Sequence, residues 1–153
     1  MKLMYINGEF THGNAQEEIE VTNPATEEVL DTVPRGAAED VDSAVRSAGE
    51  AFKSWRKMGA NERTGLLHEV ASRVRSHREE IVRLLTLEEG KPVPENDEEL
   101  EWVANTFDYY AELGRHDRGR VIPPGESSQF NFILKEPYGV VGCIVPWNYP
   151  LLL

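Results

Sequence analysis

The sequence predicts an α/β fold. Apolar residues recur at helical spacing through the middle of the chain, while short apolar runs bounded by turn residues mark strands at both ends. The most telling run is 139–145, almost continuously apolar and ended by Pro146. Apolarity without alternation is expected of a strand buried on both faces, as at the parallel centre of an α/β sheet. Ligands in such sheets bind just beyond the carboxyl ends of the strands, which is where Trp147, Asn148 and Tyr149 fall.

From the N-terminus, residues 3–10 are apolar on both sides of Asn7 and Gly8, a pair suited to a two-residue hairpin turn because both tolerate positive φ. Two further strands end in turn chemistry, 19–22 at Asn23-Pro24 and 28–33 at Pro34. From Ala38 the period changes. Val41, Ala44, Val45, Ala48, Ala51, Phe52 and Trp55 share one helical face, and Glu39 and Asp40 sit at the positive end of the helix dipole. A second helical stretch starts near Ala60 and carries Leu66, Leu67, Val70, Ala71 and Val74. It continues through Ile81, Leu84 and Leu85 to Gly90, with His77 read as a join between two helices. A third has Pro94 in its first turn, a core face of Leu100, Val103, Ala104, Phe107, Tyr110 and Ala111, and an expected cap at Gly114. Past the loop, Phe130, Phe132 and Leu134 alternate with Asn131, Ile133 and Lys135, the pattern of a strand with one apolar face. The last three residues, Leu151, Leu152 and Leu153, have no evident core to join.

Composition narrows the function classes. A chain of 153 residues with 40% hydrophobic content suits one ordinary domain. The net charge of −11, from 16 basic and 27 acidic residues, disfavours nucleic acid and anionic membrane as partners. No run approaches the roughly 18 apolar residues of a membrane span, and the opening residues lack a signal-peptide core, so a cytoplasmic location is expected. One cysteine and four histidines without ligand spacing predict no metal site.

Several residues admit two readings. The Asn148 amide carries two N–H donors and stays neutral near pH 7, so it could stabilise an oxygen that becomes negative during a reaction; equally, an Asn shortly before Pro150 could simply punctuate a turn. Cys143 reads as a small, inert, buried strand residue. Lys91 reads as a solvated helix-end lysine rather than a phosphate contact, and the acidic run 95–101 as a solvated helix face. Trp55 and Trp102 read as filler at helical spacing, and His68 and His77 receive no functional role.

Taken together, several segments resemble the NAD(P)-dependent aldehyde dehydrogenases in order along the chain. They are Asn23-Pro24-Ala25-Thr26 with Glu28-Val29, the helix around Ala51, Phe52 and Trp55, the Leu87-Glu88-Glu89-Gly90-Lys91-Pro92 segment, Tyr109-Tyr110-Ala111, Ile122-Pro123-Pro124, and Glu136-Pro137-Tyr138-Gly139 leading to Pro146-Trp147-Asn148-Tyr149-Pro150. The resemblance implies an α/β fold that is the N-terminal portion of an aldehyde-dehydrogenase-like fold. Residues 1–117 would be the N-terminal part of the cofactor-binding domain, 118–137 a β-hairpin for oligomerisation, and 138–153 the first strand of the Rossmann-like core. It implies NAD or NADP as cofactor, with Ile144, Val145, Pro146 and Trp147 lining the ribose and adenine side of an incomplete site. Asn148 would donate to the substrate oxygen, a small aldehyde would be the substrate, and a homo-oligomer, dimer or tetramer, would be the assembly. The family's nucleophilic Cys and general-base Glu lie downstream of the segments matched here. Cys143 stands outside the family's nucleophile motif, so the 153 residues alone are expected to be inactive. The competing expectation is a non-catalytic remnant that serves as an assembly module.

Overall fold

The computed structural model describes residues 2–116 and 118–153. Its helices and strands alternate by segment: four short strands, four helices, then two short strands. β1 (Met4–Ile6) and β2 (Glu9–Thr11) form the expected hairpin, with Asn7 at φ 54° and Gly8 at φ 82° as a two-residue turn of that hand requires. β3 (Glu18–Thr22) pairs antiparallel with β4 (Val29–Pro34) across a turn in which the Asn23 side-chain oxygen accepts the Ala25 N–H at 2.9 Å.

Helix α1 (Ala38–Trp55) begins with a one-sided cap. The Asp40 carboxylate accepts the N–H of Ala37 at 2.8 Å and that of Asn14 at 3.0 Å, tying the helix start to the segment after β2. Those bonds, the Ala37 one foremost, hold the Asp40 carboxyl below its usual range. The periodicity of α1 is as predicted, but its apolar face is not a core face here: Val41, Val45 and Trp55 are exposed. A helical pattern fixes which residues share a face and leaves open what covers it.

α2 (Ala60–Ser76) and α3 (Arg78–Glu89) share His77 at their junction, and Gly90 closes α3 with φ 76°. α4 (Val93–His116) runs through Gly114 instead of stopping there, because glycine also adopts a helical backbone and Gly114 is not left-handed. The buried apolar core, Ala71, Val82, Leu85, Leu100, Val103, Ala104 and Ala111, lies where α2 and α3 pack on α4. Polar ties reinforce it. The Thr64 hydroxyl donates to the Ala111 carbonyl at 2.8 Å, and Arg78 forks onto Asp97 at 2.5 and 2.6 Å. His68 bridges α2 to Asp108 and Glu112 of α4 at 2.5 and 2.9 Å, so it has a structural role that its sequence position did not reveal.

β5 (Arg120–Ile122) pairs with β6 (Asn131–Ile133), a shorter ladder than the 129–135 strand expected, and both faces of β6 are exposed. The largest difference is at 139–145, which forms no strand; Ile144 is fully exposed, and Cys143 is exposed too and is therefore not a buried strand residue. A parallel strand exists only through hydrogen bonds to neighbours, and none of the described strands lies beside this run. The run expected to be the first strand of a Rossmann-like core is thus not a paired strand here. No helix among the described residues is long and apolar enough to cross a membrane.

Candidate functional site

Past the apolar run the chain turns. The Tyr149 carbonyl accepts the Leu153 N–H at 3.2 Å, closing one helical turn with Pro150 in its first position, where a missing N–H costs nothing. The next N–H groups of such a turn have no carbonyl of their own segment to bond. Those of Leu151 and Leu152 donate instead to Glu99 Oε1 at 3.2 and 3.3 Å.

Glu99 reaches that turn because α4 places it at the end of its core stripe. Asn96, Glu99, Leu100 and Val103 are all buried, at the i, i+3, i+4 and i+7 spacing of one helical face. Its second oxygen bonds Lys91 Nζ, which also donates to the Asn148 carbonyl at 2.9 Å and sits 4.3 Å from the centre of the Tyr149 ring. Solvent reaches only 10% of the Lys91 side chain and none of Glu99. Lys91 is therefore a buried anchor, not a solvated lysine, and the run 95–101 is not a uniformly solvated face, since it supplies Glu99, Asn96 and the Asp97 partner of Arg78. Trp102, three residues beyond Glu99 on the same helix, stacks on Tyr149 with ring centres 6.3 Å apart.

Glu89 completes the cluster. Its side chain is 6% exposed, 3.7 Å from Lys91, and neither carboxylate oxygen has a hydrogen-bond partner. Burial pushes its carboxyl above the usual range, and the nearby Lys91 charge opposes that only in part. Asn96 donates to the Thr86 hydroxyl at 2.9 Å and to the Lys91 carbonyl at 3.2 Å, fixing the backbone from which the lysine springs.

This arrangement grips the backbone of the 148–152 turn from beneath while the residue Asn148 stays exposed, its side-chain amide without a partner among the described residues. The Asn148 carbonyl is thus held, while its side-chain amide keeps both N–H donors uncommitted. Trp147, Pro150 and Leu151 border an open apolar cavity of about 890 Å³ with Val70, Leu85 and Phe107. Leu151 and Leu152 also border a smaller one with Leu67 and Val103, so these leucines do find apolar neighbours. Ile144, Val145, Pro146 and Trp147 all lie on the exposed approach to Asn148. Among the described residues no group of three or more His, Cys, Asp and Glu is arranged to hold a metal ion.

Lys91, Glu99 and Glu89 were missed from sequence. For Glu99 a signal existed: a carboxylate in register with Leu100, Val103 and Phe107 belongs on the buried face unless something else turns it out.

Residues 10–153 match the profile of the aldehyde dehydrogenase family. The NADP(+) succinate-semialdehyde dehydrogenase GabD of Escherichia coli K12 is 36% identical over 145 residues, which is 95% of this chain and 30% of that protein. The mitochondrial succinate-semialdehyde dehydrogenase of rice, Oryza sativa subsp. japonica, is 39% identical over 97% of this chain and 28% of its own length. Among solved structures, an NADP-dependent enzyme of E. coli superposes with a TM-score of 0.95 at 34% identity over 99% of this chain and 31% of its own. A double mutant of Staphylococcus aureus betaine aldehyde dehydrogenase in complex with NAD+ superposes with a TM-score of 0.94 at 36% identity, again over 99% and 31%.

Proposed function

The chain belongs to the aldehyde dehydrogenase family and shares its fold over an N-terminal portion, spanning about 30% of the length of the relatives it matches; from this we propose that it supplies the oxyanion-stabilising Asn of an enzyme oxidising a small aldehyde to a carboxylic acid. The supporting observation is the Asn148 turn, whose backbone is gripped by a buried Lys91–Glu99 pair while its amide remains uncommitted. In the family mechanism a Cys thiolate adds to the aldehyde carbonyl. The carbonyl oxygen takes the negative charge, and a donor already aimed at it lowers the barrier without reorganising at the moment of reaction. Collapse of that adduct with loss of hydride gives a thioester, and water activated by a Glu releases the acid.

NAD(P)+, when bound, supplies the hydride acceptor. The exposed apolar side chains of Ile144, Val145, Pro146 and Trp147 suit a ribose or base face, and none carries the charge a pyrophosphate needs, so they fit one wall of a cofactor site. The thiolate and the general base belong to a part of the fold beyond these residues, and we infer that residues 1–153 alone do not turn over aldehyde. A homo-oligomer joined through 118–137 is part of the same proposal; the exposed Phe130 and Phe132 beside the β5–β6 ladder support it. That same exposed ladder favours the second reading, in which the chain persists as an assembly module without catalysis. A cytoplasmic location is part of the same proposal, although the rice relative is by name a mitochondrial protein.

One substitution tests the Asn148 assignment. In the full-length enzyme carrying these residues, Asn148→Ala is expected to lower kcat about a hundredfold, the effect of losing one oxyanion donor, with NAD(P)+ affinity nearly unchanged. An unaltered kcat would overturn the assignment.

A further inference from the structure

We propose that Lys91 and Glu99 are positioning residues for catalysis, acting through the backbone of the 148–152 turn to aim the Asn148 amide. This rests on the reading of Asn148 as the oxyanion donor. Three contacts carry it. Lys91 Nζ holds the carbonyl of Asn148 itself at 2.9 Å. Glu99 Oε1 holds the N–H groups of Leu151 and Leu152 at 3.2 and 3.3 Å. The two side chains bond each other, so the turn is gripped on both sides of Pro150 by one connected ion pair. Trp102 and Lys91 flank the Tyr149 ring and leave the residue between the two grips little freedom to rotate.

The chemistry of the pair argues for a role beyond packing. Burying two charges is a poor route to stability, because desolvation consumes most of the attraction, and apolar residues of similar volume serve as well. A charged pair does supply short, directional bonds to backbone groups that an apolar pair cannot. An oxyanion donor needs that directionality, since displacement by about 1 Å at a reacting centre costs about a hundredfold in rate. The position of Lys91 also explains why its ammonium is confined: a solvated lysine could not hold a carbonyl that close to the reacting amide.

The test is steady-state and binding kinetics in the full-length enzyme, with succinate semialdehyde and propanal as probe aldehydes. Lys91→Met is expected to lower kcat by about tenfold or more, with the NAD(P)+ dissociation constant within about twofold of the parent and an unchanged circular dichroism spectrum. Glu99→Gln, which keeps the volume and an acceptor oxygen for the two N–H groups, is expected to lower kcat by about three- to tenfold. In an Asn148→Ala background each change is expected to cost less than about twofold more, because the group being aimed is gone. Losses that multiply with Asn148→Ala overturn the proposal, as does a parent-like kcat in both variants beside an impaired Asn148→Ala. A silent Asn148→Ala removes the oxyanion reading and this proposal with it. Should Lys91→Met fail to fold, Glu99→Gln decides alone by the same criteria.

Discussion

Removing the Lys91 ammonium should cost more than removing both charges of its pair. In Lys91→Met the Glu99 carboxylate stays fully buried with only two backbone N–H groups as partners, and Glu89, itself 6% exposed, loses its nearest cation. Breaking a buried pair from one side costs about 3–5 kcal/mol, and the retained N–H bonds to Glu99 place this case near about 3 kcal/mol. In Lys91→Met/Glu99→Leu no buried charge of the pair is stranded. Glu89 and the Asn148 carbonyl lose Lys91 in both variants, so beyond that shared cost the double variant loses only the acceptors for Leu151 and Leu152, part-buried N–H groups worth about 1 kcal/mol each, against about 3 kcal/mol for the stranded Glu99 carboxylate. Urea unfolding of the full-length enzyme followed by tryptophan fluorescence reads this directly, because Trp102 stacks on Tyr149 within the site. With a slope of about 1–3 kcal/mol per molar urea, Lys91→Met should lower the midpoint of that transition by about 1–3 M, and the double variant by less. The reasoning fails if Lys91→Met moves the midpoint by under about 0.3 M, or if the double variant falls further than Lys91→Met alone.

Two further outcomes concern protons. The pKa of the Glu89 carboxyl is raised above its ordinary value of 4.5, first by burial, so its favourable contribution is present at low pH and lost as pH rises from the unfolded value through the raised one. Glu89→Gln does not titrate, so its melting temperature should overtake that of the parent as pH increases from about 4.5 to 7, by an amount worth about 1 kcal/mol at neutrality; a variant less stable than the parent at pH 7 would contradict this. His68 is raised above 6.5, first by its bond to Glu112 and then by Asp108, with Arg75 and Arg115 as the facing cations on those two carboxylates. Its stabilisation is complete below pH 6.5 and fades as pH climbs through the raised value. The melting-temperature gap between parent and His68→Gln should therefore shrink on going from pH 6 to pH 9, and a gap independent of pH would refute the clip between α2 and α4.

What the sequence made legible was local. The Asn7-Gly8 turn, the helix boundaries near Ala38 and Ala60, the join at His77 and the close at Gly90 each depend on residues within one turn of the backbone, and each is where the pattern put it. The run 139–145 failed for the opposite reason. Its apolarity described a buried strand correctly as a composition, but a strand is a relation between segments, and no described segment supplies the partner. The apolar face of α1 repeats the lesson: Val41 and Val45 are aligned as predicted and remain uncovered.

The site shows why polar residues are harder to read than apolar ones. Asn148 was singled out by its place just past the apolar run and by the family resemblance, whereas Lys91 and Glu99 contact its turn from 57 residues away and, through Leu151, across 52 residues. Charge alone told against their burial, since lysine and glutamate are almost never buried unless paired. The pairing was recoverable only by following the helical stripe: once Leu100, Val103 and Ala104 are assigned to the core, Glu99 and Asn96 must face inward with them, and a buried carboxylate then requires a cation and N–H donors. Lys91, fixed by the loop before α4, is the described residue that supplies the first, and the turn after Asn148 supplies the second. Burial of one charge on α4 thus dictates where the chain must return some fifty residues later, and it is that return which points the Asn148 amide outward.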